Sequence, residues 1–230
     1  MDDRSIGKRF RTALTDPTEG EQPSRIYHLI LAVLFLMLLA QPIMGRSVGE
    51  VRPIVVLWGF IFLGSLLAVR HRKALFWFGV VLMVPAVVLR VLGPLSTNWE
   101  LWRDGLAIAA FLFIAVVFLV RVLSYPRITP ASVSASLCVY FIMGVVWAIA
   151  YGIVERLAPG SFSGLDQGSE LPSQFVYFSY VTLTTLGYGD ITPVGSVAMT
   201  LATVEAVAGQ LFLVGAVAYL VGRTVAGARD

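Results

Sequence analysis

Charge is what this sequence has least of: 13% of its 230 residues are Asp, Glu, Lys or Arg, against 57% hydrophobic. A soluble globule carries roughly a quarter of its residues charged. That composition excludes a water-soluble domain and predicts an integral membrane protein. Cysteine is nearly missing. The lone Cys138 lies in an apolar run, so it forms no intrachain disulfide and reads as inert packing. There are only two histidines, His28 in the first apolar run and His71 in a basic loop. Neither has metal-ligand partners near it in sequence, and both read as structural or solvated. A phosphate-cradling loop, a nucleophile beside a base and paired catalytic carboxylates are all lacking, so no enzyme and no bound cofactor are expected. The net charge of +3 is spread over short loops rather than gathered in a patch, which gives no footing for nucleic acid. The polar opening Met1–Gln22 is unlike the short apolar core of a cleaved leader, so the first apolar run is expected to stay in the protein.

What the chain has in plenty is long apolar runs. They fall at Ile26–Met44, Ile54–Val69, Ala74–Leu89, Leu106–Val120, Ser132–Val154 and Ser196–Val221, and predict an all-α membrane protein with six transmembrane helices. The second and third are short, but Arg70 and Arg90 can snorkel and Pro53 suits a first helical turn; Pro85 should kink the third. With both termini on the cytoplasmic side, that side holds Arg4, Lys8, Arg9, Arg11, Arg25, Arg70, Arg72, Lys73, Arg121, Arg127, Arg223 and Arg229. The outer side holds Arg46, Arg52, Arg90, Arg103 and Arg156. The imbalance favours this orientation in a cell membrane, with membrane lipid as an obligatory partner.

Between the last two runs lies Thr184-Thr185-Leu186-Gly187-Tyr188-Gly189-Asp190. Lining successive backbone carbonyls along one side requires alternation between ordinary and left-handed dihedrals, which glycine visits cheaply; Gly187 and Gly189 supply such positions. Carbonyls spaced in this way can replace the water shell of a cation. The stretch resembles the selectivity filter of the potassium channel family, written Thr-Val-Gly-Tyr-Gly-Asp, with Leu186 where valine or isoleucine is usual. The resemblance implies potassium ions held by Thr185, Leu186, Gly187, Tyr188 and Gly189, four chains around one pore as a homotetramer, and passive conduction of potassium as permeant ligand. Asp190 closes the outer end. The resemblance is closest to bacterial six-helix channels with a voltage-gated-like layout.

Pro172 opens a 13-residue segment ending at Thr184, too short to span, which fits a re-entrant pore helix whose C-terminal dipole faces the cation. The preceding segment Leu157–Leu171 reads as an extracellular turret. Tyr177, Phe178 and Tyr180 resemble the family's aromatic cuff; Tyr177 is within reach of Asp190 if the chain folds this way, and Phe178 reads equally as core. On the last helix, Gly209 and Gly215 are hinge candidates, and for Gly209 hinge and close helix packing are equally plausible. Gln210, Leu213, Val217 and Val221 recur at helical spacing and are candidates for the cavity wall and an apolar constriction. Glu205 is the one acid placed deep in an apolar run. An intramembrane carboxyl is a functional candidate by default. One reading puts it behind the filter, bonded to hydroxyls such as Thr182 or Thr184 and tuning the filter's stability and pH response; the other is a satisfied structural hydrogen bond between helices.

The fourth run carries no charge from Gly105 to Val120. A voltage sensor needs roughly 3 to 4 charges per subunit in the field. The first four helices, 26–121, therefore form a sensor-like scaffold without that mode of gating. The cytoplasmic segment 1–25 precedes them. A linker, 122–131, is broken by Pro126 and Pro130, with an interfacial turn expected near Ser132–Ser136. The pore domain is 132–222, and the tail 223–230 is too short for a regulatory domain. Alternatives are a weakly selective cation channel, a subunit of a potassium uptake transporter and a regulatory subunit in a larger assembly. The intact Gly-Tyr-Gly and the single, unrepeated filter argue against the first two.

Overall fold

A computed structural model describes residues 24–39, 53–69, 73–91, 97–124, 128–166 and 171–227. The expected segment 1–23, the loop residues Arg46, Arg52, Arg70, His71 and Arg127, and the end of the tail, 228–230, lie outside the described residues. The elements are α1 (Ser24–Leu39), α2 (Pro53–Val69), α3 (Lys73–Val91), α4 (Thr97–Ser124), α5 (Pro130–Leu157), β1 (Phe162–Ser163), α6 (Leu171–Leu183), β2 (Thr192–Pro193) and α7 (Ser196–Gly227). Among the described residues four stretches are long and apolar enough to cross a membrane: Lys73–Arg90, Trp99–Leu123, Pro130–Leu157 and Ser196–Gly222. The apolar parts of α1 and α2, Ile26–Leu36 and Trp58–Leu67, are shorter.

Local chemistry sets several boundaries. Thr129 caps α5: its side chain accepts from the Ser132 backbone N–H while the Ser132 hydroxyl accepts from the Thr129 N–H, with Pro130 in the first turn. This reciprocal box satisfies two otherwise orphaned donors. It also corrects the expected turn at Ser132–Ser136, which is helix, and its serines are buried at Ser132, Ser134 and Ser136. Helix α3 runs unbroken past Pro85. At the other end α7 continues to Gly227, so residues 223–227 extend that helix.

Two cores hold the helices. The first joins α1 to α5 around Tyr27, Trp58, Phe62, Phe111 and Phe118, with the Trp58 and Phe111 rings edge to face at 4.8 Å. Such contacts add to the apolar burial. His28 Nδ1 lies 2.7 Å from the Ser134 hydroxyl, tying α1 to α5, in keeping with a structural histidine. The second core gathers Tyr151, Phe162, Phe175 and Phe178 from α5, β1 and α6. Strand β1 pairs antiparallel with β2, Phe162 opposite Pro193 and Ser163 opposite Thr192, pinning the segment before α6 to the one that follows residues 184–190. The most apolar window of α5 is 44% buried and that of α7 only 11%. The last helix thus shows most of its apolar surface to whatever surrounds the chain.

Candidate ion-conduction site

Helix α6 is 13 residues long, about 20 Å at 1.5 Å per residue. That is short of the roughly 30 Å hydrocarbon layer. It is seated by side chains that reach α5: the Tyr180 hydroxyl donates to the Phe141 carbonyl at 2.6 Å, and the Ser179 hydroxyl lies 2.7 Å from the Gly144 carbonyl. Gly144 is required here, because a Cβ would stand 2.6 Å from the Tyr180 ring. Tyr180 thus ties α6 to α5 through its hydroxyl. Phe178 is buried against Tyr151 and Phe162.

From the end of α6 the chain turns back on itself. The N–H groups of Leu186 and Gly187 donate to the Val181 carbonyl at 2.9 and 3.3 Å, and the Thr184 hydroxyl donates to the Tyr180 carbonyl at 2.6 Å. Positive φ then recurs at every second residue: Thr185 at 59°, Gly187 at 59° and Gly189 at 80°. Alternation of hand in this way turns successive carbonyls toward one side. Glycine adopts it freely. Thr185 does not, and a β-branched residue at positive φ costs on the order of 1 to 3 kcal/mol, a strain characteristic of functional backbone. Residues 184–190 are all exposed in the single chain. Beyond them the Tyr177 hydroxyl donates to Asp190 Oδ2 at 2.7 Å, and this bond holds the Asp190 carboxyl below its ordinary value of 3.8. Gly164, at φ 82°, lies against the Asp190 carbonyl, where a Cβ would collide.

Glu205 is fully buried. It accepts from the Tyr151 hydroxyl on α5, and its Oε1 lies 2.5 Å from the Ser179 hydroxyl on α6. The expected partners Thr182 and Thr184 are replaced by these two, because Ala198, Ala202, Glu205 and Gly209 form the stripe by which α7 packs inward. Ser179 has one hydroxyl proton and two acceptors in reach, the Gly144 carbonyl and Glu205. A neutral carboxyl resolves the count, donating to Ser179 while Ser179 donates to Gly144. Gly209 is buried with the Leu183 carbonyl 2.5 Å from where its Cβ would be, so a close helix approach requires glycine there; Gly215 has open space around it. Gln210, Leu213, Val217 and Val221 lie exposed on α7.

One cluster escaped the sequence reading. Asp104 is 2% exposed at the start of α4 and gathers three arginines: Arg90 at 3.1 Å, Arg103 at 3.0 Å and Arg156 at 2.5 Å, while Arg156 also reaches Glu100 at 3.6 Å. Glu205 is thus not alone as a buried acid. The available signal was that Arg90, Arg103 and Arg156 were all assigned to the side that also carries Glu100 and Asp104.

Comparison with known proteins bears on the same region. Residues 157–226, from the end of α5 through α7, match the family described as Ion channel. A stretch of 88 residues is 33% identical to the inward rectifier potassium channel Kirbac3.1 of Paramagnetospirillum magnetotacticum, covering 36% of this chain and 26% of that protein. No solved structure matches. These similarities point to a channel rather than an enzyme, and to an ion-channel domain in a membrane protein.

Proposed function

We propose that this chain is the subunit of a potassium-selective channel that conducts passively across the cell membrane. The observation that carries the reading is the left-handed backbone at Thr185, Gly187 and Gly189, on a stretch left exposed at the end of a re-entrant helix. One such strand offers carbonyls on one side only. A closed ring around the ion axis requires several copies, and a cyclic homotetramer is the form the family resemblance implies. Within it, Thr185 to Gly189 coordinate dehydrated potassium in file, while Gln210, Leu213, Val217 and Val221 face the cavity below. The bare outer surface of α7 supports this arrangement, since the neighbouring subunits would cover it.

Six spans are proposed, α1 and α2 being short ones completed by flanking residues, with both termini cytoplasmic. The fourth span bears no charge between Gly105 and Val120, so opening does not follow voltage through that helix. The test is potassium flux through the purified protein in liposomes, with sodium as competitor, barium as blocker and two membrane potentials. Selective, barium-sensitive and voltage-indifferent flux is expected. Equal sodium and potassium flux would overturn the selectivity, and steep voltage dependence would overturn the gating reading.

A further inference from the structure

A cavity of about 50 Å³ lies where α2, α3, α4, α5 and α6 converge. Every charged residue on its wall comes from a helix end on one side of the bundle: Arg90 at the end of α3, Asp104 at the start of α4, and Glu155 and Arg156 at the end of α5. The deeper wall is apolar, formed by Val145, Ala148, Ile149, Phe175 and Val176. The volume holds about four water-sized groups and is open on one side, so a larger ligand fills it in part and extends out of it.

Two buried polar atoms of residues that line this cavity have no hydrogen-bond partner among the described residues. Trp58 Nε1 is a buried donor, the whole residue being 2% exposed, and Glu155 Oε2 is a buried acceptor whose other oxygen takes the Gly160 N–H at 2.7 Å. Groups of this kind are costly unless something completes them. The Arg90 guanidinium stacks on the Trp58 ring, 4.6 Å from its centroid, and so stands beside the indole N–H. The cluster balances in charge, with Arg90, Arg103 and Arg156 against Asp104, Glu100 and Glu155. A purely anionic ligand finds no net positive field. A ligand bearing both signs complements the two unfilled atoms.

We propose that the cavity binds a zwitterionic headgroup of the phosphoethanolamine type. Its phosphate oxygen accepts from the Trp58 N–H and a neighbouring guanidinium, its primary ammonium donates to Glu155 Oε2, and an attached acyl chain runs along the apolar wall. A trimethylated ammonium has no N–H to give Glu155, and a glycerol headgroup has no cation. The proposal rests on the membrane placement above and not on ion selectivity, and its readout is independent of flux.

The test is native mass spectrometry of the detergent-purified full chain, titrated with phosphatidylethanolamine, phosphatidylcholine, phosphatidylglycerol or soluble glycerophosphoethanolamine at equal concentration. Phosphatidylethanolamine should be retained about tenfold more than either other lipid, the effect of one additional charge-assisted hydrogen bond. Trp58→Phe, which keeps the ring under Arg90, and Glu155→Gln should each remove most of that preference. Equal retention of phosphatidylcholine, a preference for phosphatidylglycerol, or folded variants that keep the wild-type ratio would overturn the proposal. Tight binding of glycerophosphoethanolamine alone would overturn the lipid as its source. Should either variant fail to fold, the wild-type ratio between the lipids still decides.

Discussion

Replacing Glu205 tests how α7 is fixed to α5 and α6. The carboxyl is fully buried, takes the Tyr151 hydroxyl and stands 2.5 Å from the Ser179 hydroxyl, so one side chain links α7 to α5 and to α6. In Glu205→Ala the Tyr151 hydroxyl loses its partner in an apolar interior while Ser179 keeps only the Gly144 carbonyl, at about 1 to 3 kcal/mol in all. The emptied space adds about 2 kcal/mol more, giving a loss of about 4 kcal/mol per chain. For a chain of this size that lowers Tm by about 10 °C. Glutamine has the same shape, offers its carbonyl to Tyr151 and its N–H to Ser179, and frees the Ser179 proton for the Gly144 carbonyl. Glu205→Gln is therefore expected within about 1 kcal/mol of wild type. The assay is thermal unfolding of the purified protein in detergent at fixed potassium, followed by intrinsic fluorescence, with flux measured in parallel. If glutamine destabilised as much as alanine, the neutral carboxyl would be refuted, because an ionised group is what an amide fails to replace. If alanine cost nothing, the linking role itself would fail.

Three further outcomes follow from the same geometry. Gly209→Ala pushes a Cβ against the Leu183 carbonyl at the end of the pore helix and should cost about 1 to 3 kcal/mol, whereas Gly215→Ala should be neutral; thermal unfolding of the pair separates close packing from a hinge. The Tyr177 bond lowers the Asp190 carboxyl below 3.8, so its contribution is complete above that value and is lost as pH falls through the lowered one. Tyr177→Phe should return Asp190 to its ordinary titration and make flux fail at a higher pH during acidification, read from the acid limb of a flux–pH profile. Asp104→Asn leaves Arg90, Arg103 and Arg156 without their shared anion and should destabilise by about 3 kcal/mol, seen as a lowered Tm; an unchanged Tm would show the cluster to be solvated.

The apolar runs and the left-handed turns at Gly187 and Gly189 were legible because each is a local property. Length and hydropathy name a membrane helix, and two glycines at alternate positions name a backbone that turns its carbonyls one way. A helix too short to span was legible from Pro172 and the length of its segment, and a 13-residue helix is found at Leu171–Leu183. The turn expected at Ser132–Ser136 was misread, since that stretch resembles a polar turn until Thr129 and Ser132 close their box and the serines pack inward. Which hydroxyls meet Glu205 was not legible. Thr182, Thr184, Ser179 and Tyr151 are equal candidates in sequence, and the choice depends on the stripe by which α7 packs on α5 and α6. Thr185 at positive φ has no sequence signal, because threonine resists it and only the turn held by Val181 imposes it.

By itself, then, the sequence determined that the chain is a membrane protein, where its apolar runs fall and where glycines stand at alternate positions, since each follows from the partition or dihedral preferences of neighbouring residues. The tertiary structure alone decided what distant residues do to one another. It joined Arg90, Arg103 and Arg156 around Asp104, set Tyr177 on Asp190 and Glu205 between Tyr151 and Ser179, and opened the cavity beside Trp58. Hydrogen bonds and ion pairs act over a few ångströms, and positions dozens of residues apart come within that range only when the helices pack.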